Sequence, residues 1–136
     1  MRFVDTNVLL YSISTDPSEE RKASMAAALL QQSRDLALSV QVLQEFYVQA
    51  TRSGKPGALT HREAIDFIAS WKRFSVQEMT VALMDAAFAA KDRWKISYWD
   101  AAVVESARAA GCSELLSEDL SDGQDYGGIR VIDPFR

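Results

Sequence analysis

The sequence predicts an α/β fold: a three-layer α/β/α arrangement whose short, mainly parallel sheet of four to five strands is covered by helices on both faces. Three observations predict it. Brief apolar runs recur at Phe3-Val4, Leu36-Ala37-Leu38 and Leu115-Leu116; they lack the alternation of a half-solvated strand and read as buried ones. Longer segments of helical period separate them, and strands alternating with helices imply right-handed crossovers above and below a parallel sheet. A length of 136 residues, 48% of them hydrophobic and 25% charged, suits one domain over 1–136 with a real core.

Taken in order, Phe3-Val4 starts a strand that Asp5-Thr6-Asn7 ends. Val8 to Ser12 reads as a short helix stopped before Asp16-Pro17, and Ser18 is placed as the cap of a second helix running to about Arg34. Glu19 and Glu20 sit in its first turn, where the helix dipole favours acids. Leu36 to Ser39 is the second strand. Val40 to Arg52 is helical, with an apolar arc of Val42, Leu43, Phe46, Tyr47 and Ala50. Gly54-Lys55-Pro56-Gly57 is a loop by composition. Thr60 and Glu63 have capping-box spacing and open a helix to about Trp71; His61 in that cap is read as surface structure. Phe74 to Met79 alternates like a strand and is compatible with a sheet edge. Thr80 caps a helix from Val81 to about Trp94 with Leu83, Ala87 and Ala90 as its stripe. Ile96 to Asp100 leads into a helix ending at Ala110, with Gly111 as its left-handed stop. Leu115 to Ser117 and Ile129 to Ile132 are the last strands, and Asp133-Pro134 ends the latter.

The totals exclude several classes. No apolar run reaches membrane-spanning length, and the N-terminus has no signal-peptide layout. One cysteine, Cys112, allows no internal disulfide, so a cytoplasmic location is expected. One cysteine and one histidine also exclude a thiolate–imidazole zinc site. Any metal must be held by oxygen, which points to Mg²⁺ or Mn²⁺. The net charge of −4 argues against a broad basic face. No phosphate loop of the GxxxxGK[ST] or GxGxxG kind and no GxSxG element is present.

The acids carry the rest. In open parallel sheets, ligands bind beyond the carboxyl ends of the strands. Asp5 and Asp119 follow strands there, and Glu45 and Asp100 lie near the starts of helices at the same edge. Each has a bland alternative: Asp5 as a helix cap, Glu45 as a solvated helix residue. Asp100 falls in the middle of the inward stripe of Val103, Val104 and Ala107, with no Lys or Arg following on it. A carboxylate there is costly unless it is paired or bound to a cation. Four such groups gathered in one pocket cannot all stay ionised without a cation. A metal held by them can activate water and stabilise a phosphodiester in hydrolysis.

In order along the chain, Val4-Asp5-Thr6-Asn7, Gln44-Glu45-Phe46, Trp99-Asp100-Ala101-Ala102 and Leu116-Ser117-Glu118-Asp119-Leu120 resemble the four acidic motifs of the PIN-domain ribonucleases. They are most similar to the toxins of VapBC toxin–antitoxin modules, and the resemblance covers essentially the whole chain. It implies a PIN-like fold and a metal-dependent endoribonuclease that cuts single-stranded RNA. By position, Asp5, Glu45, Asp100 and Asp119 would be the metal-binding acids, Thr6 and Asn7 would support the pocket, and Asp122 would be an additional ligand through water. Glu118 is expected to point away. The resemblance also implies a homodimer inhibited by a VapB-like antitoxin. For RNA, Lys91, Arg93 and Lys95 form the first candidate cluster and Arg52 with Lys55 the second, against the alternative of ordinary helix-end cations. Tyr98 and Trp99, able in principle to stack bases, are read as core. A receiver-like Mg²⁺-binding signalling domain would need an acid pair after the first strand and an acceptor Asp after the third, and neither is present. A PIN-like RNA- or protein-binding module without catalysis would show a missing acid, and none is missing.

Overall fold

The computed structural model describes residues 1–136. Five strands form one sheet: β1 (Arg2–Val4), β2 (Leu36–Ser39), β3 (Ser75–Gln77), β4 (Glu114–Leu116) and β5 (Arg130–Ile132). Their order is β3-β2-β1-β4-β5, and every neighbouring pair is parallel, with Phe3 opposite both Ala37 and Leu115. The six helices are α1 (Thr6–Ser12), α2 (Glu20–Gln32), α3 (Val40–Ala50), α4 (His61–Trp71), α5 (Val81–Trp94) and α6 (Tyr98–Ala109). The chain steps outward from β1 through β2 to β3, returns across the sheet to β4, and ends at β5. Right-handed crossovers put α1 to α4 on one face and α5 with α6 on the other. The α/β/α layering and parallel sheet expected from the sequence are both present.

The central strands β2, β1 and β4 are short and apolar because both their faces are covered, whereas the edge strands β3 and β5 are partly exposed. Phe3, Val4, Leu36, Leu38, Leu115 and Val131 are fully buried or nearly so. From the helices, Val8, Leu9, Phe46 and Val104 join them in the main core, and the Phe46 ring meets Trp71 edge-on at 4.7 Å. Each such side chain stabilises the fold by about 1.5–3 kcal/mol. The cap of α4 is a complete box: Thr60 Oγ1 accepts from the Glu63 N–H at 3.1 Å, and Glu63 Oε1 accepts from the Thr60 N–H at 2.9 Å.

One local expectation is corrected. Ser18 does not cap α2. Pro17–Glu19 form a separate 3₁₀ turn capped by Asp16, whose carboxylate accepts from the Ser18 N–H at 2.9 Å; proline's fixed φ suits that first position. The end of α5 is closed by Lys95 in the left-handed region, φ 57°, where glycine is commoner. That turn reverses the chain into Ser97, which caps α6. No helix is long and apolar enough to cross a membrane.

Strand order reverses between β1 and β4, the switch point where open parallel sheets bind ligands. Asp5 follows β1 directly, and Ser117-Glu118-Asp119 follow β4. The topology therefore puts two of the motif acids on adjacent strand ends.

Candidate metal centre

Asp5 is the helix cap the sequence allowed, and its second oxygen turns toward the end of β4. It N-caps α1, its Oδ1 accepting from the Thr6 N–H at 2.8 Å. Its Oδ2 accepts from Ser117 Oγ at 2.7 Å and from Asn7 Nδ2 at 3.3 Å. It is only 8% exposed. Burial pushes its pKa up to about 6, with smaller upward contributions from the Asp119 and Glu45 carboxylates; the Ser117 and Thr6 hydrogen bonds pull the other way.

Glu45 leans from α3 toward the same edge. Its Oε2 accepts from Thr6 Oγ1 at 3.0 Å and its Oε1 from Gln41 Nε2 at 3.1 Å. Asp100 stands in the first turn of α6, its own N–H donating to Ser97 Oγ at 3.1 Å, and no protein donor reaches its carboxylate. Asp119, the most exposed of the four, accepts from Asn7 Nδ2 at 3.3 Å. Asn7 thus ties the two strand ends together: its amide also reaches Ser117 Oγ at 3.1 Å, and its Oδ1 accepts from the Glu118 N–H at 3.1 Å.

Asp5, Glu45, Asp100 and Asp119 line one cavity of about 100 Å³, with Thr6, Asn7 and Gln49 beside them and Leu10, Trp99 and Val103 at its apolar side. No Lys, Arg or His lines it. The space takes several water-sized groups. The donor set suits a hard divalent cation: it is all oxygen, anionic, and contains no internal counter-charge. The acids stand around the wall and no three close directly on one point. Water would complete the coordination, the usual arrangement for Mg²⁺.

Glu118 points away, as expected. Tyr11 donates to it at 2.6 Å and Lys22 forms a short ion pair with it. Burial opposes its charge, but these two partners outweigh it and hold its pKa below the usual range. Asp122 is not brought together with the other four acids. It does not line the cavity; its carboxylate accepts from the Asp133 N–H at 2.8 Å and faces Arg136 at 3.8 Å.

The basic candidates divide. Lys91, Arg93 and Lys95 are exposed at the end of α5 and do not line the cavity. Arg93 lies over the Trp94 ring at 4.4 Å and Lys95 pairs with Asp92 at 3.4 Å, so helix-end interactions account for them. Lys55 lines a larger groove of about 750 Å³ that shares Asn7, Leu10, Gln49 and Asp119 with the cavity, whereas Arg52 lines neither. The reading of Trp99 as core is also corrected: it is 62% exposed. It occupies the first turn of α6, at the rim of the cavity. Tyr98 is half-buried against Phe88 and Trp99.

Sequence reasoning missed Ser117 and Gln41. Both are buried polar groups that orient the acids. A serine ending an apolar strand, beside a motif acid, is the signal that marks the first. A glutamine one turn before Glu45 marks the second.

The family model for the PIN domain matches residues 2–121. No curated protein sequence matches. Solved structures with the same fold include a toxin–antitoxin complex from Klebsiella pneumoniae, 18% identical, covering 98% of each chain with a TM-score of 0.70. Another is VapC20 of Mycobacterium tuberculosis, described as a sarcin–ricin loop cleaving toxin: 21% identical, covering 88% of this chain and 90% of that one, TM-score 0.68. A third is VapBC2 from Rickettsia felis bound to a fragment of its promoter DNA, 14% identical, covering 96% of each chain, TM-score 0.64. With the family model spanning both strand ends of the switch point and all four acids that line the cavity, the chain belongs to the PIN-domain family.

Proposed function

We propose that the chain is a metal-dependent endoribonuclease that hydrolyses phosphodiester bonds in single-stranded regions of RNA, and that it is the toxin of a toxin–antitoxin pair. The observation that carries this reading is the cavity lining: four carboxylates from four separate elements, with no cation among them, at the switch point of a PIN-domain sheet. Asp5, Glu45, Asp100 and Asp119 would hold Mg²⁺ or Mn²⁺ there, which would supply an activated water and offset charge on the phosphate.

The chain's own residues supply orientation. Ser117 and Thr6 fix the two oxygens of Asp5. Thr6 and Gln41 fix those of Glu45. Asp100 keeps its lone pairs free of protein donors, so it can serve as a ligand or accept a proton. Asn7 sets the separation of Asp5 and Asp119. The shared groove beside the cavity offers Lys55 as a phosphate contact, which gives affinity without reading sequence.

The toxin role rests on the company the fold keeps: toxin–antitoxin complexes and a toxin described as cleaving the sarcin–ricin loop. A VapB-like antitoxin, a homodimer and action in the cytoplasm belong to the same proposal. The test is cleavage of a pool of structured RNAs by purified protein with Mg²⁺, Mn²⁺ or EDTA, beside Asp100→Asn. The reading expects cutting that needs metal and disappears in the variant. RNA left intact under every metal condition would overturn it.

A further inference from the structure

The rim of the acid cavity carries a side chain that metal chemistry does not use. Trp99 lines the cavity next to Asp100, yet it is the most exposed aromatic ring of the chain. Isolated exposed apolar residues need no explanation; this one differs in its place and its bracing. Tyr98 meets it edge-to-face at 5.0 Å and 77°, and Phe88 lies against Tyr98 at 5.2 Å. A braced ring loses little freedom when something stacks on it.

We propose that Trp99 is the platform on which a nucleobase beside the scissile phosphate stacks, outside the cavity, while the phosphate enters it. This rests on the nuclease reading and names how that site holds its substrate. The cavity, at about 100 Å³ and walled by carboxylates, admits an ion and phosphate oxygens but leaves no room for a base. The base must lie on the rim. The adjoining groove includes Asp16, Glu19 and Glu118, and its one aromatic ring, Tyr11, is packed edge-on against Phe135 with its hydroxyl donating to Glu118, which leaves Trp99 as the flat exposed face. Stacking of this kind accepts any base, because every base has a π-face. It also demands an unpaired strand, since a base inside a duplex is already stacked on its neighbours. A preference for single-stranded RNA with weak sequence preference at that nucleotide follows.

The experiment compares wild type with Trp99→Ala, Trp99→Phe and Trp99→Leu on one RNA oligonucleotide with Mn²⁺, and repeats it with an abasic nucleotide on each side of the cut. Trp99→Ala is expected to lower kcat/KM by about 5- to 150-fold, the range that loss of one base–aromatic stack produces. Trp99→Phe keeps most activity, and Trp99→Leu falls with Ala because it has bulk but no π-face. On the RNA whose stacked base is missing, wild type and Trp99→Ala become equal. Sedimentation at assay concentration is unchanged in all variants. Equal rates for wild type and Trp99→Ala on intact RNA overturn the proposal. So does rescue by Leu, or a shift in oligomeric state that explains the loss by a second copy of the chain. Wild type that cuts while Trp99→Ala cuts equally well sinks the platform alone; wild type that cuts no RNA sinks the nuclease reading and the platform with it.

Discussion

Replacing Asp5 by Asn removes a charge that the metal-free fold holds at a cost. The carboxyl titrates near pH 6 in the folded chain against 3.8 ordinarily. At about 1.4 kcal/mol per unit, that difference corresponds to about 3 kcal/mol. The sign follows from the raised value: the folded state binds this proton more tightly than the unfolded state. Stability from this group is fully present below pH 3.8, declines between 3.8 and about 6, and is lost above that. Asn does not titrate, so the variant lacks the slope. It keeps an acceptor for the Thr6 N–H but sets its own amide against Asn7 Nδ2, 3.3 Å away in the wild type, a mismatch worth about 1–2 kcal/mol. The absolute difference at one pH is therefore small, and the pH dependence carries the information. The assay is urea and thermal unfolding in EDTA from pH 4 to 7.5. Wild-type minus variant stability is expected to fall by about 2.5 kcal/mol across that range, roughly 10 °C in Tm. Adding Mn²⁺ at pH 7 raises the wild type and leaves the variant unmoved. Parallel pH profiles for the two proteins would refute the claim that burial makes this carboxylate expensive.

Other positions give independent checks. Ser117→Ala removes the hydroxyl that orients Asp5 and accepts from Asn7 Nδ2 and the Asp119 backbone N–H; Mn²⁺ affinity by calorimetry is expected to fall about 10- to 100-fold. Tyr11→Phe deletes the 2.6 Å bond to Glu118 and lowers unfolding free energy by about 1–2 kcal/mol in urea titrations at pH 7. Glu118→Gln flattens the acid limb of the stability profile. With its pKa lowered in the fold, Glu118 stabilises above its unfolded value and loses that contribution as pH falls through the folded one. Thr60→Ala breaks the cap of α4, costs about 1 kcal/mol in thermal unfolding, and leaves RNA cutting intact.

The central strands were legible because burial on both faces leaves an apolar run, and β3 was legible from the alternation of a half-exposed edge. The helices of α4 and α5 were legible from their caps, down to Thr60 and Thr80. The gathering of Asp5, Glu45, Asp100 and Asp119 follows from parallel topology, since every strand then ends on one edge. What the sequence hid depends on which way individual side chains turn. Trp99 neighbours a buried stripe but turns outward at the start of α6. Asp122 stands three residues from Asp119, yet the loop sends it to the C-terminal segment. Lys91, Arg93 and Lys95 precede Asp100 in sequence, but the left-handed turn at Lys95 separates the end of α5 from the cavity. Periodicity reports faces of elements, and these three outcomes were set at element ends.

The central claim is that the four acids together hold a divalent cation. Calorimetric titration of Mn²⁺ into the metal-stripped protein tests it most directly, with Asp5→Asn, Glu45→Gln, Asp100→Asn and Asp119→Asn in parallel. Saturable binding by wild type, weakened at least about tenfold in each variant, is the result expected. Binding that is absent from wild type, or equal in all five proteins, would contradict it.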